Sequence, residues 1–132
     1  MLICKFDAAK EAWDFLAERF KLRIYHYQHL SKLHSIRQKP GQSVEDVFVE
    51  MCFIWNELAH FEPKFKHADC AEKFIAYRDL ERLYQFLIAL HDDFDNIRTS
   101  ILHRDPLPSL DRVVLELSHM EKHLPSAKLQ KN

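Results

Sequence analysis

The sequence predicts an all-α protein, a compact bundle of about six helices, and three observations carry that prediction. A single glycine, Gly41, and five prolines in 132 residues leave too few turn-formers for a β-rich chain. Hydrophobic residues make up 47% of the chain and aromatics 12%, ample material for one core. The apolar residues recur every three to four positions along most of the length, the period of a helix face. A chain of this length fits one domain that buries roughly two-thirds of the surface its unfolded form exposes.

Asp7 is the predicted N-cap of a first helix whose apolar residues Trp13, Leu16 and Phe20 repeat at helical spacing to about Phe20. A second helix is expected from Leu22, with Leu30, Leu33 and Ile36 on its stripe, ended by Pro40–Gly41. Ser43 with Asp46 forms a capping arrangement for a third, in which Val44, Val47, Phe48, Met51, Ile54, Trp55 and Leu58 line one face. Pro63 interrupts the following connection, and a long fourth helix is expected over Ala71 to Leu90, its stripe running through Phe74, Tyr77, Leu80, Leu83, Tyr84 and Leu87. Phe94, Ile97 and Ile101 predict a short fifth helix that stops before Pro106. Ser109 caps a sixth, which carries Leu110, Val113, Val114, Leu117 and Met120. One helical domain over residues 1–124 and a flexible tail over 125–132 are the expected organisation. The aromatics Trp13, Phe48, Trp55, Phe74 and Phe86, on or near the stripes, are expected in the core.

Three tracts are more particular than patterning requires: AKEAWDFL (residues 9–16), GQSVEDVFVEMCFIWNELA (41–59) and QFLIAL followed by DPLPSL (85–90 and 105–110). Together they resemble the gag polyprotein of plant copia-type retrotransposons, with motifs of the form AKEAWD-x-L, G-x-SV, IW-x-ELA, QFL-x-GL and DPLPSL, over nearly the whole chain. The resemblance implies the C-terminal lobe of a retroelement capsid preceded by the last helices of the N-terminal lobe, so that most of the first lobe is missing and the capsid truncated. It also implies a protein that assembles with itself and catalyses nothing. Two departures accompany it. The loop HFEPKFKHADC retains only Cys70, near His67, where family members often hold several cysteines, and no zinc knuckle, protease, integrase or polymerase tract is present. Ala89 replaces the glycine of QFL-x-GL, which favours helix by about 1 kcal/mol.

Charge and cysteines narrow the function classes. A net charge of −1 supplies no general attraction to nucleic acid or anionic membrane, so any such binding would rest on a local patch. Cys4, Cys52 and Cys70 are odd in number and widely spaced, which points to reduced thiols in cytosol or nucleus. The N-terminus meets acids too soon for a signal peptide, and no window is apolar enough to span a bilayer.

No catalytic, cofactor-binding or metal-binding residue is assigned. His119 and His123, four apart with Glu116 nearby, and His67-x-x-Cys70 beside His60 each lack a further ligand at matching spacing. Asp92, Asp93 and Asp95 fit the capping of the next helix better than acid chemistry. No serine or cysteine carries the partner pattern of a nucleophile, so no enzyme is expected.

The basic run of the second predicted helix is a candidate RNA contact through Arg23, Tyr25, Tyr27, Lys32, Arg37 and Lys39, with no acid between Leu22 and Pro40. The third is its opposite: Glu45, Asp46, Glu50 and Glu57 occur with no lysine or arginine, so the two helices can complement each other within the fold or across a dimer. Val49, Phe53, Ile75 and Ile88 fall off the main stripes and are the candidate protein interface. Three functions follow as expectations: a gag-derived homodimer or higher oligomer, a helical adaptor for a host protein, or an RNA binder. None needs a cofactor or a membrane.

Overall fold

A computed structural model of the chain describes residues 2–123, with side chains described from Asp7 to His123. The predicted tail 125–132 lies outside the described residues. Five α-helices follow in order: α1 (Leu2–Ser35), α2 (Val44–Ala59), α3 (Ala68–Ala89), α4 (Asp95–Leu102) and α5 (Leu110–Glu121). A 3-10 turn, Asp92–Phe94, leads into α4, and there is no strand among the described residues.

The all-α class holds, but the six-helix count does not, because the first two predicted helices are one continuous α1. Nothing breaks the chain between Asp7 and Ser35, which contains neither proline nor glycine. Asp7 therefore sits inside α1 and caps nothing. The apparent boundary near Lys21 is a change of face. At 100° per residue, Trp13, Leu16 and Phe20 lie roughly opposite Leu33 on one helix, so two stripes read as two helices.

α1 and α2 pack antiparallel through the last turns of α1. The Tyr25 hydroxyl donates to Glu57 Oε2, and the His26 ring stacks on Phe61 at 4.5 Å between centroids. α1 ends at Ser35, five residues before Pro40, where the Arg37 guanidinium donates to the carbonyls of His34 and Ile36 and so places a cation on the helix's negative end. The Pro40–Gly41 pair then makes a turn, with Gly41 at φ 81, a left-handed angle that glycine adopts without Cβ strain. Gln38 fixes this loop to the far end of α3: its N–H donates to the Ala89 carbonyl at 2.7 Å and its Oε1 accepts from the His91 N–H at 2.9 Å.

α2 is capped as its sequence predicts, Ser43 Oγ accepting from the Asp46 N–H at 3.1 Å. Val44, Val47, Met51, Ile54 and Trp55 are buried on one face. They meet Leu83, Phe86 and Leu87 of α3, Ile101 of α4, and Val113 and Leu117 of α5 in a single core. Phe48 adds an edge-on ring to Phe86 at 6.0 Å, the favoured aromatic geometry. Each fully buried side chain of this size contributes about 1.5–3 kcal/mol.

α3 starts three residues earlier than predicted, and its core face differs from the expected stripe. Leu83, Phe86 and Leu87 are buried, whereas Tyr77 and Tyr84 are exposed, because at 100° per residue they lie roughly 110–130° around α3 from that face. α4 and α5 fall where their sequence places them; Ser109 Oγ accepts from the Arg112 N–H at 3.3 Å to cap α5. Glu121, at the other end of α5, accepts the N–H of Val44 at 3.0 Å and so joins α5 to the first turn of α2. Arg104 closes the 103–109 connection onto α5 with a two-pronged pair to Glu116 at 2.6 and 2.8 Å.

Candidate functional site

The least covered part of the molecule is the N-terminal two-thirds of α1. Because the end of α2 meets α1 at Tyr25 and His26, the residues before Leu22 run past the body for about 30 Å at 1.5 Å per residue. Every described residue from Asp7 to Gln28 is exposed. Trp13, expected in the core, is 72% exposed, so the stripe that predicts the helix correctly says nothing about what covers it.

That stripe is continuous. Trp13, Leu16, Phe20, Ile24 and Tyr27 follow one another at three- and four-residue steps on the side of α1 turned away from the face that Tyr25 and Leu33 present to the body. Basic residues flank it, Lys10 and Lys21 along one side and Arg19 and Arg23 along the other, at helical spacing. The Arg23 guanidinium lies 5.5 Å over the Phe20 ring, and that of Arg19 5.8 Å over Phe15, distances at which a ring face attracts a cation. The acids Asp7, Glu11, Asp14 and Glu18 fall on the opposite side of the helix.

The four candidate interface residues are all exposed, but not on one surface. Val49 and Phe53, at 65% and 60%, share the face of α2 opposite the core, with Glu45 on one side of them and Asp46, Glu50 and Glu57 on the other. Ile88 shares a face of α3 with Tyr77 and Tyr84, while Ile75 lies about 140° around the same helix.

The candidate RNA residues are also divided. Tyr25 is turned toward α2, where the hydrogen bond to Glu57 pushes its hydroxyl above the ordinary tyrosine value. Arg37 is engaged with the carbonyls at the end of α1, and the Lys39 N–H donates to Gln42 Oε1 at 3.0 Å. Arg23 and Tyr27 lie instead on the outward apolar face of α1, and Lys32 is exposed in the last turn of α1. The two helices meet at the hydrogen bond from the neutral Tyr25 hydroxyl to Glu57, and among the described residues no ion pair joins the basic side chains of α1 to the acids of α2.

The remaining candidates are smaller features. Asp92, Asp93 and Asp95 sit in the first turns of the 3-10 turn and α4, with the His91 ring accepting from the Asp93 N–H and Arg98 pairing with Asp95 at 3.2 Å. The rings of His119 and His123 lie 4.8 Å apart, and among the described residues no three His, Cys, Asp or Glu side chains converge as a metal site would require.

One cleft was not foreseen. Phe48, Cys52 and Trp55 of α2, Arg82 of α3 and the Leu107–Asp111 segment line an opening between the helices. Arg82 lies 5.5 Å over the Trp55 ring, whose N–H donates to Gln85 at 2.8 Å. Burial pushes the Cys52 thiol up, which keeps it protonated and a poor nucleophile. Burial and the neighbouring Arg78 lower the Arg82 pKa. The one sequence signal for this cleft is the DPLPSL tract, whose prolines hold an extended wall beside α2.

No helix of the described residues is long and apolar enough to cross a membrane. Comparison of the chain with protein-family models, with curated proteins and with solved structures finds no match.

Proposed function

We propose that this chain is a non-enzymatic interaction domain of the copia gag kind that associates with further copies of itself as a dimer or larger capsid-like oligomer. The observation that carries the reading is the exposure of Val49 and Phe53 on the outer face of α2: large apolar side chains, adjacent at four-residue spacing, that the chain's own core leaves uncovered. Neighbouring apolar residues left in water on a folded chain mark an interface. The tracts AKEAWDFL, IWNELA, QFLIAL and DPLPSL, which resemble gag, supply the kind of partner, since gag proteins assemble with copies of themselves.

The test is the molar mass by light scattering after size exclusion over a wide concentration range. A species of two or more 15.8 kDa chains that shifts toward one chain in the variant Val49→Asp/Phe53→Asp is the expected result. A single chain at all concentrations would overturn self-association and leave a foreign protein as the partner for this surface.

A further inference from the structure

The outward stripe of α1 and the outer face of α2 differ in one respect that decides how two copies can meet. The α1 stripe, Trp13 to Ile24, is flanked by Lys10, Arg19, Lys21 and Arg23. The α2 stripe, centred on Val49 and Phe53, is flanked by Glu45, Asp46 and Glu50, with Glu57 beyond them already accepting from the chain's own Tyr25. Two α1 arms laid together would set basic flanks against basic flanks, and two α2 faces would set acids against acids. Like charges juxtaposed across an interface suppress pairing, whereas the mixed arrangement sets each basic flank against an acidic one.

The chain cannot make this contact with itself. The α1 stripe faces away from its own body, and the α2 face lies opposite the core that α3 and α5 fill. We infer that the occupant of the α2 face is the α1 arm of a second copy, whose aromatic stripe lies along Val49 and Phe53 with its lysines and arginines against the acids of α2. This deepens the self-association reading and rests on it. The contact is head-to-tail, because two different surfaces meet, so it closes only where the rotation between copies allows and otherwise extends into an open chain.

The contact is tested by complementation of two defective variants. Leu16→Asp/Phe20→Asp destroys the arm and leaves the α2 face; Val49→Asp/Phe53→Asp destroys the face and leaves the arm. All four side chains are exposed, so both variants should melt as the parent does, which is checked by circular dichroism. Each variant alone is expected to sediment as one chain, and an equimolar mixture as a one-to-one pair, because one variant's intact arm finds the other's intact face. A second pair, Arg19→Glu/Arg23→Glu with Glu45→Lys/Asp46→Lys, repeats the experiment by charge: each alone should stay a single chain, and mixing, which matches both arms to opposite faces, should restore the parent's assembly. If the parent chain self-associates but the mixtures stay single chains, or if the arm variant alone still assembles, the arm-on-face contact is wrong while self-association stands. If the parent is a single chain throughout, both readings fall.

Discussion

Leu33 and Trp13 belong to the same uninterrupted helix, yet Leu33 is 4% exposed and Trp13 72%. The last turns of α1 are held by Tyr25 on Glu57, His26 on Phe61 and Leu33 in the core, whereas the turns before Leu22 are exposed on every side among the described residues. Both halves carry an apolar stripe at helical period. Periodicity specifies the helix and the side it offers, but the topology decides whether that side meets the same chain or is left for another. In the body the stripe produces stability; in the arm it produces a surface.

Deleting a large side chain from each region should have very different effects. Phe86→Ala should cost about 3–5 kcal/mol of unfolding free energy, because Phe86 is fully enclosed by α2, α3 and α5 and the cavity cannot collapse completely. Trp13→Ala should change stability by no more than about 0.5 kcal/mol. Urea titrations of the two variants measure both, and a Trp13→Ala loss comparable with that of Phe86→Ala would mean that the arm is packed rather than free.

A smaller effect is expected at the helix ends that fix the body. Ser109→Ala removes the acceptor for the Arg112 N–H and should cost about 1 kcal/mol, with Ser109→Asp restoring most of it. Thermal melts at one pH read this directly; an Ala variant indistinguishable from the parent would show that packing alone holds α5 in place.

The smallest expected effects are electrostatic and run in opposite directions at two carboxylates of α5, Glu116 in its middle and Glu121 at its C-terminal end. The hydrogen bonds from Arg104 hold Glu116 below the usual carboxylate range, so its stabilising contribution is fully present above an unfolded value of about 4.3 and is lost as pH falls through the lower folded value. Burial pushes Glu121 up despite the Val44 N–H it accepts; its contribution is fully present below about 4.3 and is lost as pH rises through the higher folded value. Glu116→Gln should therefore lower the melting temperature more at pH 7 than at pH 3, and Glu121→Gln should compare better with the parent at pH 7 than at pH 3. Identical pH profiles for the two variants would contradict this assignment.

Much of the body is legible in the sequence because its signals are local. Ser43 and Ser109 announce α2 and α5 through side-chain oxygens that accept N–H groups three residues on, and the α2 face of Val47, Met51 and Ile54 follows from period alone. The exposure of Val49, Phe53, Ile75 and Ile88 follows from their place off the main stripes. What is not legible depends on partners distant in the chain. The continuity of α1 is hidden because its stripe changes sides once the body begins, and the exposure of Tyr77 and Tyr84 reflects which side of α3 the bundle covers. The candidate RNA residues are neighbours in sequence but divided by helix geometry, and Arg37 is engaged by a helix end that the sequence places several residues later. The cleft beside Trp55 and Arg82 is likewise assembled from three separate segments.

The clasp at Gln38 gives the arm a mechanical meaning. Through it, the residues just past α1 are tied to the carbonyl of Ala89 and the N–H of His91, so the root of the helix is anchored to α3 and its neighbouring turn as well as to α2. A continuous helix anchored at one end is a cantilever. With no glycine or proline to act as a joint, the arm tilts as a whole, and a rotation of about 5° at the root carries a tip some 30 Å away through about 3 Å. Strain applied to the tip is therefore delivered to the junction of α1, α2 and α3, where the Gln38 hydrogen bonds join the root of the arm to the packed body.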